Sequence, residues 1–249
     1  MKVSIITIAY NSAATIEDTI RSVASQNYHD IEYIIVDGAS KDNTLNIVKS
    51  FGTKISKLVS EKDKGIYDAM NKGVMLATGD IIGILNSDDF YADDFVISDV
   101  VKEFQKTSCD GLYADLVYVN RELSDKVVRT WKAGDYRHGQ FLSGWMPPHP
   151  TFFVKKHCYE KYGTYTLELR SAADYELMLR FIHKHQIPLT YLPRVITKMR
   201  TGGQSNVSIM NRIKANMEDR KAWKMNGLHP NFMTLTRKPV SKILQFLKS

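Results

Sequence analysis

Ile81-Ile82-Gly83-Ile84-Leu85-Asn86-Ser87-Asp88-Asp89 is the stretch on which the fold turns. An uncharged, branched run stops at two adjacent carboxylates. Such a run suits the centre of a parallel sheet, where both faces are covered. A strand that ends in Asp88 and Asp89 presents both acids at its carboxyl edge, which is where open α/β sheets bind ligands. Neighbouring carboxylates repel unless a cation joins them, and hard oxygen donors suit Mg2+ or Mn2+. An ion placed there holds a diphosphate. On this stretch alone a solvated turn or a helix cap explains the pair as well.

Upstream, strand and helix signals alternate. Residues 3–10 read as a strand rich in β-branched residues, and 31–36 as a second, ending in Asp37-Gly38-Ala39-Ser40. Residues 55–59 read as a weaker third. Ser12 or Thr15 caps a helix with Ile16, Ile20, Val23 and Ala24 on one face. Another helix runs through Leu45, Val48 and Lys49. Residues 65–77 place Ile66, Ala69, Met70, Val74 and Ala77 at helical spacing. Strands alternating with helices imply right-handed crossovers and a mostly parallel central sheet flanked by helices. Downstream the spacing predicts a helix over 95–104, a strand pair at 111–119 and 126–131, and a short strand at 151–154. It further predicts a helix over 172–185, strands at 189–192 and 195–199, a polar loop from Arg200 to Asn206 and a helix over 209–225. The prolines of 144–150 make that segment a rigid loop.

The chain has 249 residues, 43% of them hydrophobic, and a net charge of +7. That length fits one large domain, or one domain with an appendage. No stretch approaches the roughly 20 apolar residues needed to cross a bilayer. The first residues lack a signal-peptide plan, so a cytoplasmic protein is expected. Cys109 and Cys158 lack metal-type spacing and read as two reduced thiols. The positive balance suits phosphates, nucleic acid or an anionic membrane face. No nucleic-acid-binding motif accompanies it.

Adjacent parallel strands gather Tyr10-Asn11-Ser12, Asp37 and Asp88-Asp89 on one edge, a pocket suited to a nucleotide. There Asp37 accepts from a base N–H, Asp88 from ribose hydroxyls, and Asp89 holds the cation. Asn11 offers both a donor and an acceptor. The chain resembles the family 2 glycosyltransferases with the GT-A nucleotide-diphospho-sugar transferase fold. The matching residues are 3–11, Ser22-Val23-Ala24-Ser25-Gln26, residues 33–44, residues 63–73 and Ala77-Thr78-Gly79-Asp80, with Asn86-Ser87-Asp88-Asp89 where the family carries its DXD-type motif. One departure is plain: Asn86 stands where an acid two places before Asp88 would complete Asp-X-Asp. Weaker similarity runs through His149-Pro150-Thr151-Phe152-Phe153 and Ala173-Asp174-Tyr175-Glu176 to about Asn206. That downstream pattern is similar to bacterial enzymes of surface-polysaccharide synthesis.

The resemblance implies a GT-A domain over 1–206, with a nucleotide-binding half (1–100) and an acceptor half (101–206), followed by a helical extension over 207–249. It implies sugar transfer with inversion from a nucleotide-diphospho-sugar, UDP being the favoured carrier, to a glycan or lipid-linked acceptor, with Mn2+ or Mg2+ as cofactor. Asp174 is then the base, at a helix start where the dipole keeps it ionised, and Glu176 is the neighbouring alternative. His149 is placed near acceptor or metal, Lys64 and Asn71 beside the donor with Tyr10, and Arg200 as a diphosphate clamp on a closing loop. Each also has a plainer reading as a helix cap, surface residue or loop residue. In the tail, Val240, Ile243, Leu244 and Leu247 form an apolar stripe among lysines. That stripe over 237–249 suits a helix on an anionic membrane, peripheral at its inner face, or one docked on the domain or on a second copy. A non-catalytic sugar-nucleotide or polysaccharide binder is the alternative, though binding alone needs no base opposite the leaving group. A nucleotidyltransferase would need a glycine-rich basic loop after the first strand, which Asn11-Ser12-Ala13-Ala14-Thr15 is not.

Overall fold

The computed structural model describes residues 1–202 and 209–230, with side chains for 1–202 and 217–230. Four strands form the parallel half: β1 (Val3–Ala9), β2 (Ile31–Asp37), β3 (Lys57–Ser60) and β4 (Ile81–Ile84), ordered β3-β2-β1-β4. Helices α1 (Ile16–Ala24), α2 (Thr44–Ser50) and α3 (Ile66–Leu76) make the crossovers. All seven residues of β1 are buried, as expected of a strand covered on both faces. Its alternate side chains serve opposite cores. Ile6 and Ile8 join Ile34, Val36, Met70 and Val74 on one face, and Val3 and Ile5 join Ile16, Ile20, Tyr33 and Val48 on the other. Gly73 lets α3 lie directly on β1. A Cβ there would fall far inside van der Waals contact of Ile6 Cγ2.

The second half adds β5 (Asp89–Tyr91), α4 (Val96–Thr107), β6 (Gly111–Val119), β7 (Val127–Trp131), β8 (Phe153–Lys155), α5 (Lys156–Tyr162), α6 (Ala173–Met178), β9 (Leu189–Arg200) and α7 (Ile209–Met225). The sheet continues from β4 through β8, β6 and β9 to β5, with β7 beside β6. β8 runs antiparallel to β4 and β6, β5 antiparallel to β9, and β6 parallel to β9. The expected parallel centre is therefore extended by antiparallel strands. Four strand spacings of about 4.8 Å separate β4 from β5 along a flat sheet, about 19 Å. The five-residue step from Ile84 to Asp89 reaches at most about 17 Å even fully extended, and it contains a turn in which Asp89 N–H donates to Asn86 O at 3.0 Å. The sheet must curl, and the curl places the Asp88-Asp89 turn at its inner edge.

Two elements differ from the sequence expectation. The helix expected over 172–185 is α6 followed by a wider π turn, Leu179–Lys184. Within it Arg180 reaches back to Glu176 and to the carbonyls of Tyr162, Gly163 and Thr164. The strands expected at 189–192 and 195–199 are one strand, β9. Its register slips between Leu192 and Val195, because Pro193 has no N–H for the ladder and is accommodated by a bulge. No helix among the described residues is long and apolar enough to cross a membrane. The expected helix over 237–249 lies outside the described residues, as does the loop beyond Gly202.

Candidate active site

The carboxyl ends of β1, β2 and β4 are stitched together by side chains. Asn11, with φ of 49°, donates its N–H to Ser40 Oγ at 2.8 Å and accepts Lys41 N–H on Oδ1 at 2.8 Å. Ser12 N–H donates to Thr44 Oγ1 at 2.8 Å, and Ser12 Oγ meets Ser87 Oγ at 2.8 Å. Three loops expected to converge are thus joined. Asp37 is fully buried and accepts from Ser40 N–H, Ser40 Oγ and Ser60 Oγ. Those donors fix a carboxylate where a fourth could still be received. Beside it, the bare Cα of Gly38 admits two neighbours. A Cβ there would stand 2.5 Å from Asp63 Oδ2 and 3.3 Å from Tyr10 Cδ2. Tyr10 is 62% exposed, so an aromatic ring that shares Gly38 as a neighbour with Asp63 opens to solvent. Asp63 was not singled out by sequence reasoning. Its signal was its position in the quoted 63–73 block, and what that block lacks is any sign that the side chain folds onto Gly38.

Asp89 is fully buried at the start of β5, opposite Met199. Its Oδ2 accepts weakly from Asn86 Nδ2 at 3.3 Å, while Asp89 Oδ1 and Asn86 Oδ1 are buried without a hydrogen-bond partner. Burial, reinforced by the Asp88 charge, pushes the Asp89 carboxyl well above its ordinary range, against the Asn86 amide and Arg200. Two orphaned acceptor oxygens beside a second, half-buried acid, Asp88, are an electron-rich cluster that the nearby Arg200 does not satisfy by hydrogen bonding. The donor set, all oxygen, fits Mn2+ or Mg2+. Asn86 supplies an amide oxygen where the family acid would stand.

Arg200 is corrected from a loop to the last residue of β9. It is 5% exposed, donates to Asp88 O at 3.0 Å, pairs with Asp18 and lies 4.7 Å over the Phe90 ring. It also lines a cavity of about 350 Å3 with Arg121, Asp18 and Thr15. Its visible work is to brace the acidic turn.

Asp174 sits in the first turn of α6, 20% exposed, with Oδ1 accepting Tyr67 O–H at 3.0 Å and Oδ2 at 3.3 Å from His149 Nδ1. Burial, then the Asp174 charge, drives the Tyr67 phenol far above its ordinary value, so Tyr67 is always the donor. Glu176, two residues on, is 3% exposed and committed to a bidentate pair with Arg180 and a bond from Asn226 Nδ2. That commitment separates the two acids that sequence alone left as alternatives. Asn71 uses both ends of its amide on Tyr165, at 2.8 Å each, and so holds the 163–171 segment. Lys64 is exposed two residues before α3, its N–H on Asp68 Oδ2 at 3.0 Å. Tyr67 escaped sequence reasoning because it lies within an amphipathic helix, where a buried phenol reads as core.

Asp174 and Asp89 belong to one edge. The His149 loop is pinned by Thr197 Oγ1 donating to Pro150 O at 3.2 Å. Thr197 lies on β9, opposite Tyr91, where Met199 lies opposite Asp89. Tyr67 enters at the first turn of α3, which follows β3 and so begins at the carboxyl edge of the parallel strands.

A curled α/β sheet with polar loops and an acidic turn gathered at the carboxyl edge of its parallel strands is the arrangement of the GT-A class of sugar-nucleotide transferases. Comparison with known proteins agrees. Residues 4–174 match the glycosyl transferase family 2 model, and the chain belongs to that family. An uncharacterized glycosyltransferase of Mycobacterium tuberculosis is 31% identical over 180 residues, 72% of this chain and 68% of the relative. A PGL/p-HBAD biosynthesis glycosyltransferase of Mycobacterium bovis is 28% identical over 214 residues, covering 83% and 80%. S. aureus TarS 1-349 in complex with UDP-GlcNAc superposes with a TM-score of 0.69 at 17% identity, over 91% of this chain and 65% of TarS. The mannosyltransferase PcManGT from Pyrobaculum calidifontis, in complex with GDP-Man and Mn2+, gives 0.68 at 19% identity, over 99% and 69%.

Proposed function

We propose that this glycosyltransferase moves a sugar, with inversion, from a nucleotide-diphospho-sugar to a hydroxyl of a lipid-linked or other polysaccharide precursor. The observation that carries the reading is the pairing of two orphaned, buried oxygens (Asp89 Oδ1 and Asn86 Oδ1) with an ordered, half-open carboxylate, Asp174, on the same edge. Residues 1–100 hold the donor and residues 101–206 receive the acceptor. The exposed Tyr10 ring, Asp37 and Asp63 receive the base, Asn11 and Asp88 the ribose, with Lys64 at the mouth and Arg200 toward the diphosphate.

Asp89 and Asn86 would hold Mn2+ or Mg2+, whose chemistry is to neutralise charge on the leaving diphosphate. The chain's own residues do the rest. Asp174 accepts the acceptor's hydroxyl proton as that oxygen forms a bond to the anomeric carbon. The bond from that carbon to the phosphate oxygen breaks with its electron pair leaving on the nucleotide. Tyr67 and His149 fix the orientation of Asp174, so that its free lone pairs face the cleft. The UDP-GlcNAc and UDP bound by TarS and the GDP-Man and Mn2+ bound by PcManGT support this donor class. The membrane helix expected over 237–249 would bring a lipid-linked acceptor near, and deleting it tests vesicle binding.

The test is a panel of UDP-, GDP- and dTDP-sugars with Mn2+, scored by thermal shift and then by release of nucleoside diphosphate with a lipid-linked acceptor extract. Stabilisation by one donor followed by acceptor-dependent release supports the proposal. Stabilisation with no release under any acceptor supports a binder instead.

A further inference from the structure

At the sheet end opposite the acidic turn, β8 meets the first residue of β4, Lys155 pairing with Ile81. There Asp110, just before β6, meets His157 and Cys158 at the start of α5. Among the described residues these are the three His, Cys, Asp or Glu side chains whose ligand atoms all lie within 4.8 Å of one another. Cys158 Sγ is 3.6 Å from His157 Nε2, and Asp110 Oδ2 is 3.3 Å from the same nitrogen.

That convergence on one nitrogen is the informative point. A Cys-His-Asp relay needs the thiol and the carboxylate on opposite ring nitrogens, so this is not a nucleophilic triad. A single Nε2 either donates to Asp110 or accepts from the thiol, not both. A cation at the centre satisfies all three groups together. The spacing agrees. Zinc bonds of about 2.3 Å to sulfur and about 2.0 Å to nitrogen or oxygen, at tetrahedral angles, put sulfur about 3.6 Å from nitrogen and nitrogen about 3.3 Å from oxygen. Both observed edges match those values.

We propose that Asp110, His157 and Cys158 form a zinc site that ties the start of β6 to the junction of β8 and α5, separate from the sugar-nucleotide edge. Thiolate and imidazole select Zn2+ over the hard ions suited to the all-oxygen acidic turn. Lys155 Nζ, 3.1 Å from Asp110 Oδ1, occupies the carboxylate oxygen that the metal does not need and holds the other in place. A cavity of about 480 Å3, lined by His157, Lys155, Lys156 and Asp80 among others, opens on the His157 side of the site. The ligand form of Cys158 is the thiolate, so forming the Zn–S bond releases the thiol proton to solvent. The pattern was invisible as a motif because its ligands come from two elements far apart in the chain.

Co2+ titration of the chelator-treated full chain tests the site. The expected result is a thiolate-to-cobalt charge-transfer band with four-coordinate d–d absorption, saturating at one ion per chain and bleached by one equivalent of Zn2+. His157→Ala, at a side chain 51% exposed and so tolerant of truncation, is expected to abolish it. Cys158→Ala is expected to do the same, whereas Cys109→Ala and Asp89→Asn retain it. Absence of the band from the wild type, or its persistence in His157→Ala, overturns the proposal.

Discussion

Substituting Asp89→Asn should invert the order of stability between wild type and variant, depending on whether a divalent cation is present. Asp89 is fully buried, with Oδ1 unpartnered and its pKa raised by burial and by Asp88. A raised carboxyl binds its proton more tightly folded than unfolded. In chelator, the wild type therefore loses stability as pH rises from the unfolded value of about 4 toward the folded one. The amide cannot ionise, and its N–H has the orphaned Asn86 Oδ1 within the same turn as an acceptor. An unsatisfied buried group costs about 1–3 kcal/mol. At about 2–4 °C per kcal/mol for a chain of this size, the variant should melt roughly 2–12 °C above wild type in chelator at pH 8. Mn2+ at about 100 times Kd adds about 2.7 kcal/mol to the wild type and raises its Tm by roughly 5–10 °C. The variant, having lost a charged ligand, should gain little. Thermal melts by circular dichroism with chelator and with Mn2+ measure both arms. A variant less stable than wild type in chelator, or an equal Mn2+ response in both, refutes the argument.

Three further outcomes follow from contacts elsewhere. Burial alone would raise Glu32, but Lys57 and the Ser4 and Thr78 donors overcome it and hold the carboxyl at about 2. Its contribution, about 3 kcal/mol above the unfolded pKa, should fade as pH falls from about 4.5 toward 2, and acid titration of Glu32→Gln should lack that step. Gly73→Ala should cost about 1–3 kcal/mol in urea denaturation, since its methyl collides with Ile6 beneath α3. Tyr67→Phe removes the bond to Asp174 Oδ1 and should lower kcat with little change in donor KM. An equal rise in KM would place Tyr67 on the donor.

The parallel half was legible because its strands are mostly apolar, β-branched runs broken by loops with turn chemistry, and each ends close to a residue that the edge uses. What came later depended on distant partners. Arg200 read as a loop residue because Thr201-Gly202-Gly203 follows it, yet pairing of β9 with Val119 carries the strand through it. Asp174 and Glu176 have the same helix context in sequence. Only the fold shows that Arg180 and Asn226 claim the second. Asn71, expected beside the donor, clamps Tyr165, and Tyr67, which the helical spacing did not single out, touches Asp174. Periodicity reports which face of an element is buried, not which polar group will meet it from across the sheet.

The most direct test of the account is single-turnover transfer by Asp174→Asn, with donor affinity measured in parallel. Loss of the proton acceptor should slow transfer by about 10²–10⁴-fold, leaving donor binding and its Mn2+ dependence intact. Transfer at the wild-type rate, or a loss explained wholly by weaker donor binding, would contradict a base at Asp174 facing a cation at Asp89.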